Sequence, residues 1–425
     1  MPRGNHYSKI FVYADWKGTN GPILMGTLYS ELLRGKEIFS FEYDDGWLNS
    51  KQALLLDPEL QLYTGIQYLN DDKKHNFGIF LDSSPDRWGR ILMRRREAAL
   101  ARLKEKPHHN LYETDYLLGV YDEHRMGGLR FKTKIEGPFL NDNIEMASPP
   151  WTSIRELEQI SLRLEEDDVI NDPEYLKWLS MLIAPGSSLG GARPKASVLD
   201  EKGHLWIAKF PSKNDAIDVG AWEMITYELA VKSGLIMANA KAMKFSTQKH
   251  TFITKRFDRT DAGERIHFAS AMTMLSRTDG EDYNDGISYI DLVEFLIRHG
   301  CNVQEDLEQL WRRIVFSICV SNTDDHLRNH GFILTSKGWR LSPAYDINPV
   351  ATSTGLKLNI SEDDNELSLD LALSVCQYFR INKNRALEII EEVKSAVSEW
   401  RKIANTYNVS KSEQELMSNA FSKAK

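Results

Sequence analysis

Apolar residues alternate with others at Ile10, Val12 and Ala14, and this β-rich manner continues over residues 8–70, with a turn signal at Tyr43-Asp44-Asp45-Gly46. Between Asp86 and Leu103 the period becomes helical, with Ile91, Leu92, Ala99 and Leu100 apolar and many arginines between them. Glu136 to Pro150 carries three prolines and a glycine and reads as a connection. Ser153 and Glu156 then form a capping-box pair before a helix whose Ile154, Leu157, Ile160 and Leu164 share a face. A glycine-rich loop spans Pro185 to Ala192. Strands are expected at Ala196–Leu199 and Leu205–Phe210, and a helix over Trp222–Val231 is stopped by Gly234. Further strands are expected near Ala242–Phe245 and Thr251–Phe257. Leu307, Leu310, Trp311, Ile314, Val315 and Ile318 mark an amphipathic helix over Asp306–Val320. Phe332–Leu334 and Trp339–Leu341 read as a hairpin turning at Lys337-Gly338. Leu387, Ile390, Val393, Val397, Trp400 and Ala404 mark one long helical face, and the polar tail after Ser410 is expected to fray.

Composition narrows the picture without changing it. At roughly 150 residues per domain, 425 residues make two or three domains. Hydrophobic residues are 42% and charged residues 27%, ordinary globular usage that excludes wholesale disorder. A formal charge of −8 speaks against the chain as a whole being an electrostatic DNA binder. Cys301, Cys319 and Cys376 have neither disulfide-framework nor metal-type spacing and fit a reducing compartment. The first residues carry no apolar stretch of signal-peptide type, and no run approaches a membrane span, so the expectation is a soluble cytoplasmic protein with no membrane partner.

Four segments carry candidate chemistry, and their order matters more than any one of them. Gly186-Ser-Ser-Leu-Gly190-Gly191-Ala-Arg-Pro-Lys195 has the small residues that let backbone N–H groups approach an anion, although Ala192 after Gly191 departs from a Walker A loop, and an ordinary turn has the same composition. Lys209 lies in an apolar strand. Such a lysine ordinarily points to water; the functional reading is a grip on nucleotide phosphates, held by Glu223 or, less favourably placed, Glu228. Asp324-Asp325-His326-Leu327-Arg328-Asn329 has the Asp-x-x-x-x-Asn spacing of a kinase catalytic loop, where the Asp takes a hydroxyl proton and the Asn binds metal; an Asp/Asn-rich turn is the bland alternative. His326 and His330, four apart, lack an evident third zinc ligand. Asp346, in Tyr345-Asp346-Ile347, stands 17 residues beyond Asn329, after the hairpin, in the place of a magnesium-binding Asp. Phosphoryl transfer needs a positioned nucleotide, neutralised charge and an oriented hydroxyl, and on the functional reading of each segment these residues would supply all three.

The chain resembles the HipA family, the kinase toxins of HipBA toxin–antitoxin pairs, over nearly its whole length. Ser84-Pro-Asp-Arg-Trp-Gly-Arg90 is similar to the family's Leu-Pro-Asp-Ser-Trp-Gly-Arg segment, and Ser188-Leu-Gly-Gly-Ala-Arg-Pro-Lys195 to its glycine-rich loop. Lys255-Arg-Phe-Asp-Arg259 resembles its hinge, and Asn322-Thr-Asp-Asp-His-Leu-Arg-Asn329 and Tyr345-Asp346-Ile347 its catalytic and metal segments. Lys255 replaces a common Glu, Arg193-Pro194 a different pair, and Asp325 a common glycine.

The resemblance implies an α+β, protein-kinase-like, HipA-like fold with a β-rich N-terminal subdomain and an all-helical C-terminal lobe. Residues 1–135 would form the first, 151–260 an N-lobe-like part with glycine-rich loop and hinge, and 261–425 the helical lobe with the catalytic and metal-binding loops. It implies Asp324 and His326 as catalytic residues, and Asn329 and Asp346 as metal ligands. ATP would be bound by Ser188, Leu189, Gly190, Gly191, Ala192, Lys195, Lys209, Glu223, Lys255, Arg256, Phe257 and Arg328. ATP and Mg²⁺ would serve as cofactors, and Ser188, with Ser187 as the alternative, would be autophosphorylated to switch the enzyme off. The implied activity is a Ser/Thr protein kinase toxin; some members of the family target aminoacyl-tRNA synthetases. Its implied partners are a protein substrate and a HipB-like helix-turn-helix antitoxin, with DNA reached only through the antitoxin. The competing expectations are a small-molecule or lipid kinase, and a co-repressor that mainly binds the antitoxin.

Overall fold

The computed structural model describes residues 7–69, 71, 73–105, 107, 109–144, 147–183, 193–352 and 354–424. They divide into two units, Met1–Ala208 with Asp258–Ala269, and Lys209–Phe257 with Ser270–Lys425.

In the first unit, strands β1 (Tyr7–Ala14), β2 (Ile23–Leu33), β3 (Lys36–Tyr43), β4 (Ile66–Tyr68) and β5 (Leu129–Lys132) pair antiparallel in the order β4-β3-β2-β1-β5. The expected alternation buries Ile10, Val12 and Ala14 on one face, and β3 adds Phe39, Phe41 and Tyr43. The register slips at Val12/Tyr13, opposite Gly26. A Cβ on Gly26 would stand 2.3 Å from the Glu42 carbonyl oxygen, so no side chain fits there. The Tyr43–Gly46 turn becomes a short helix, α1 (Asp45–Leu48), because the Asp44 side chain accepts from Gly46 N–H and caps it.

Helices α2 (Gly78–Asp82), α3 (Arg87–Leu103) and α4 (Glu113–Gly119) follow. Asp86 caps α3 by accepting from Gly89 N–H at 2.8 Å. The unit continues with α5 (Ile154–Arg163), α6 (Tyr175–Ile183) and the paired strands β6 (Lys195–Leu199) and β7 (Leu205–Lys209). The Ser153–Glu156 capping box does not form. The chain is already helical at Trp151–Ser153, so Ser153 sits in helical backbone and its side chain caps nothing.

The second unit begins at Lys209, the last residue of β7. It holds α7 (Val219–Lys232) and the antiparallel pair β8 (Ala240–Met243) and β9 (Thr251–Lys255). After the short strand β10 (Phe268–Ser270) come α8 (Ala271–Met274), α9 (Tyr289–His299) and α10 (Val303–Val320). Helix α10 buries nearly every residue from Leu310 on, as its apolar spacing predicts. The hairpin is present as β11 (Gly331–Thr335) and β12 (Gly338–Leu341).

Helices α11 (Leu369–Val375), α12 (Lys383–Ser398), α13 (Trp400–Thr406) and α14 (Lys411–Met417) close the chain. The single long face breaks at Glu399, between α12 and α13, and Leu387 points to solvent. The tail after Ser410 is not frayed: Ser410 caps α14, and Met417, Ala420 and Phe421 are buried.

Candidate active site

Lys209 ends the apolar strand β7 with its side chain only 11% exposed. Its Nζ donates to Glu223 Oε1 at 2.5 Å and to Asp346 Oδ1 at 2.6 Å. Burial alone would pull the lysine pKa down; the Asp346 and Glu223 carboxylates outweigh it and raise the pKa above the ordinary value. Of the two candidate partners on α7, Glu223 faces the lysine, whereas Glu228 accepts a hydrogen bond from Tyr407.

Asp346 follows the β11–β12 hairpin in left-handed backbone, φ 56°, a conformation that a short polar side chain tolerates. The Ala344 N–H donates to the Ile236 carbonyl at 2.8 Å and anchors this segment. Tyr345 extends the anchoring, since its hydroxyl donates to the Arg328 carbonyl at 2.8 Å and its ring lies 5.6 Å from that of Phe257. Asn348 donates from Nδ2 to Asp346 Oδ1 at 3.1 Å, and its own N–H donates to Asn322 Oδ1. Asp346 is thereby tied to the catalytic-type loop.

In that loop Asp324 is exposed, while Asp325 and Asn329 are buried. Asn329 donates from Nδ2 to the Asp324 carbonyl at 3.0 Å, and its buried Oδ1 has no hydrogen-bond partner among the described residues. An orphaned amide oxygen beside a loop that carries an exposed carboxylate suits a hard cation, and Asp346 supplies a carboxylate of the right chemistry. Among the described residues no three His, Cys, Asp or Glu side chains group into a metal site, so any divalent ion here would depend on the asparagine.

Asp325 does different work from Asp324. Tyr289 donates its hydroxyl to Asp325 Oδ2 at 2.5 Å, and His330 Nε2 lies 3.1 Å from the same oxygen. Burial pushes the Asp325 pKa up, but His330 and Tyr289 prevail and hold it below the ordinary carboxylate value. Beside this network Arg313 is fully buried, donates to the Ser342 carbonyl, and has a pKa lowered by burial to about 10, with Asp325 and Tyr345 opposing the shift.

The remaining expected site residues fall as follows. His326 is half-buried and opens the short turn Leu327–Asn329. Arg328 is half-buried, with Nη1 3.6 Å from Asp279. Lys255 closes β9 through its N–H to the Asn239 carbonyl, 2.7 Å, and Arg256 is buried. In the first unit the Lys195 ammonium pairs with Asp86 at 2.8 Å, both side chains almost wholly buried. Ser187, Ser188, Leu189, Gly190, Gly191 and Ala192 lie outside the described residues. Sequence reasoning assigned no role to Tyr289 or Asn348, weighed His330 only as a zinc ligand beside His326, and read Tyr345 only as part of the metal segment. The only signal for the roles of Tyr289 and His330 was Asp325 itself, an acid where its neighbour already fills the catalytic position.

A mixed chain with a buried lysine bridging two carboxylates, and with a catalytic-type loop next to an aspartate that follows a hairpin, is an α+β protein of kinase-like architecture. The fold is similar to that of HipA from Shewanella oneidensis MR-1, solved in its toxin–antitoxin complex with HipB and operator DNA, with a TM-score of 0.63 at 16% identity, covering 98% of this chain and 95% of that one. The chain belongs to the HipA-like C-terminal domain family, whose model matches residues 187–400. A protein of Haemophilus influenzae described as a putative kinase is 24% identical over 184 residues, 39% of this chain and 53% of that protein, so the match spans about half of that relative's length.

Proposed function

We propose that the chain is an ATP-dependent protein kinase that transfers the γ-phosphate to a Ser or Thr hydroxyl and acts as the toxin of a toxin–antitoxin pair. The observation that carries this reading is Lys209, buried between Glu223 and Asp346, in the unit that also holds Asp324 and the unpartnered Asn329 oxygen. Family membership and the names borne by the two relatives support it.

Glu223 keeps Lys209 charged and aimed at the phosphates. Asp346 and Asn329 hold the divalent ion, which when bound neutralises charge along the phosphate chain. Asp324, exposed and unencumbered by Asp325, orients the acceptor hydroxyl and takes its proton. Lys255, Arg256 and Phe257 form the hinge beside the base, with Tyr345 behind Phe257. Ser188, or Ser187, is the autophosphorylation site. A protein substrate, of which an aminoacyl-tRNA synthetase is one candidate, and a helix-turn-helix antitoxin are the partners, with operator DNA reached through the antitoxin. No helix among the described residues is long and apolar enough to cross a membrane, in keeping with action in the cytoplasm.

The test is incubation of the protein with γ-labelled ATP and a cell lysate. Wild type labels a protein band besides itself; Asp324→Ala and Asp346→Ala label nothing, and ATP affinity suffers more in the second. Label confined to small molecules would replace the protein substrate by a metabolite or lipid. Near-wild-type turnover in either variant would overturn the site. Mass spectrometry of ATP-treated wild type is expected to find phosphate on Ser188 or Ser187.

A further inference from the structure

Helix α7 carries Glu223 and begins as half of a capping box. Asp218, its N-cap, accepts from Ala221 N–H at 3.2 Å. The reciprocal bond needs a Glu or Gln at the third helical position, reaching back to the N–H of the cap residue. That position is Ala221, which cannot make it. The Asp218 N–H donates instead to Glu413 Oε1 at 2.9 Å, and the same oxygen accepts from Trp222 Nε1–H at 2.8 Å.

Glu413 comes from α14, where Ser410-Lys-Ser-Glu413 is itself a capping-box sequence. Ser410 Oγ accepts from Glu413 N–H at 3.2 Å, as that box requires, but the Glu413 carboxylate leaves its own helix for α7. There it meets two donors at once and the positive end of a helix twice as long, with 14 residues against 7.

The start of α7 is gripped from other sides as well. Asp218 accepts from His250 N–H at 2.8 Å and lies 2.6 Å from His250 Nδ1. A Cβ on Gly220 would stand 2.0 Å from the His250 carbonyl oxygen, so the helix is seated directly on that backbone. Phe421, stacked on Trp400 at 4.6 Å, lies 5.9 Å from Trp222. Further along α7, Tyr407 bonds Glu228 and Glu399 pairs with Lys232.

We propose that Glu413 is a positioning residue for the Lys209–Glu223 pair. It completes the capping box of α7 from the C-terminal segment and, through Trp222, fixes the rotation of the helix that aims Glu223 at Lys209. The purpose of that aim rests on the kinase reading; the mechanical coupling does not.

The test uses the full chain and two readouts. Hydrogen–deuterium exchange follows α7 and, as a control, α10; equilibrium titration with a fluorescent ATP analogue and Mg²⁺ follows the site. Glu413→Ala is expected to speed exchange over residues 218–223 about tenfold or more, leaving α10 unchanged. Glu413→Gln, which keeps a carbonyl acceptor, recovers most of the protection. Nucleotide affinity falls about tenfold in Glu413→Ala, and the same substitution in a Glu223→Gln background adds nothing, because both act through one pair. Trp222→Phe, which removes the Nε1–H donor along with part of a buried ring, is also expected to speed exchange over residues 218–223 with α10 unchanged, and serves if Glu413→Ala does not fold. Exchange rising equally in α10, or losses of affinity that add in the double variant, would overturn the proposal. If wild type binds no Mg·ATP but exchange over 218–223 responds as stated, the kinase reading fails and the clamp stands. If wild type binds and exchange is unchanged, the reverse holds.

Discussion

Two lysines, one in each unit, lie in segments that the sequence marks as candidates for gripping phosphates, and they are held differently. Lys195 pairs with Asp86, with side chains 4% and 1% exposed, and the other Asp86 oxygen is taken by the α3 N-terminus. Lys209 faces two acids, Glu223 and Asp346, and the Asp346 side chain is 23% exposed. One ammonium there meets two carboxylates, and Asn329 in the same unit adds an amide oxygen with no hydrogen-bond partner among the described residues. A pair buried on both sides is suited to holding structure. An acid-rich cluster with an edge open to solvent is suited to taking up a cation.

The comparison can be broken by exchanging the roles of the two lysines. Lys209→Met is expected to lower phosphate transfer about 10²- to 10³-fold, read with labelled ATP, while the fold persists. Lys195→Met strands the buried Asp86 charge and is expected to cost about 3–5 kcal/mol in urea unfolding, with much of it regained in the double variant Lys195→Met/Asp86→Asn. Equal stability losses from the two lysines would erase the distinction.

A finer test compares the buried titrating groups of the units. Tyr289→Phe, which removes the donor to Asp325, is expected to cost about 2 kcal/mol of stability and to lower the transfer rate with little change in the KM for ATP. Because the folded pKa of Asp325 is depressed, its contribution is whole above the ordinary carboxylate pKa of about 3.9 and fades as pH falls through the folded value. In the first unit, acid acts sooner. His267, stacked on Trp16 at 5.0 Å, has its pKa pushed by burial to about 3. The unfolded chain takes up that proton from about pH 6.5 downward, so this group costs about 1.4 kcal/mol per pH unit below it. Asp57, raised by burial to about 6, works in the opposite sense over the same range. The contribution of His267 is therefore read as a difference: His267→Gln is expected to flatten the acid limb of stability relative to wild type, measured by chemical unfolding at pH 7 and pH 5. That is the smallest effect of the set.

Much of this was legible along the chain because it is local. The helical period ending at Val320, the Asp-x-x-x-x-Asn spacing and the hairpin before Asp346 are patterns within tens of residues, and Glu223 lies only 14 positions from Lys209. What was not legible depends on distant partners. Nothing near Lys195 announces Asp86, 109 residues earlier. The tail after Ser410 reads as polar because its apolar anchors, Met417, Ala420 and Phe421, are few, and because Glu413 looks like a local cap. Asp325 reads as a spare acid until Tyr289 and His330 are brought to it. Ser153 misled for the opposite reason: a correct local signal fell one turn late, inside a helix that had already begun.

Asn329 carries a consequence for what could replace it. One end of its amide fastens the loop to the Asp324 carbonyl, and the other end has no hydrogen-bond partner among the described residues. An aspartate would offer a cation more charge but would lose the donor and set a carboxylate against that carbonyl. A serine would be too short to span both duties. Only a side chain that gives at one end and receives at the other, separated by the width of a single carbon, lets one residue brace the loop and still hold out an oxygen suited to a cation.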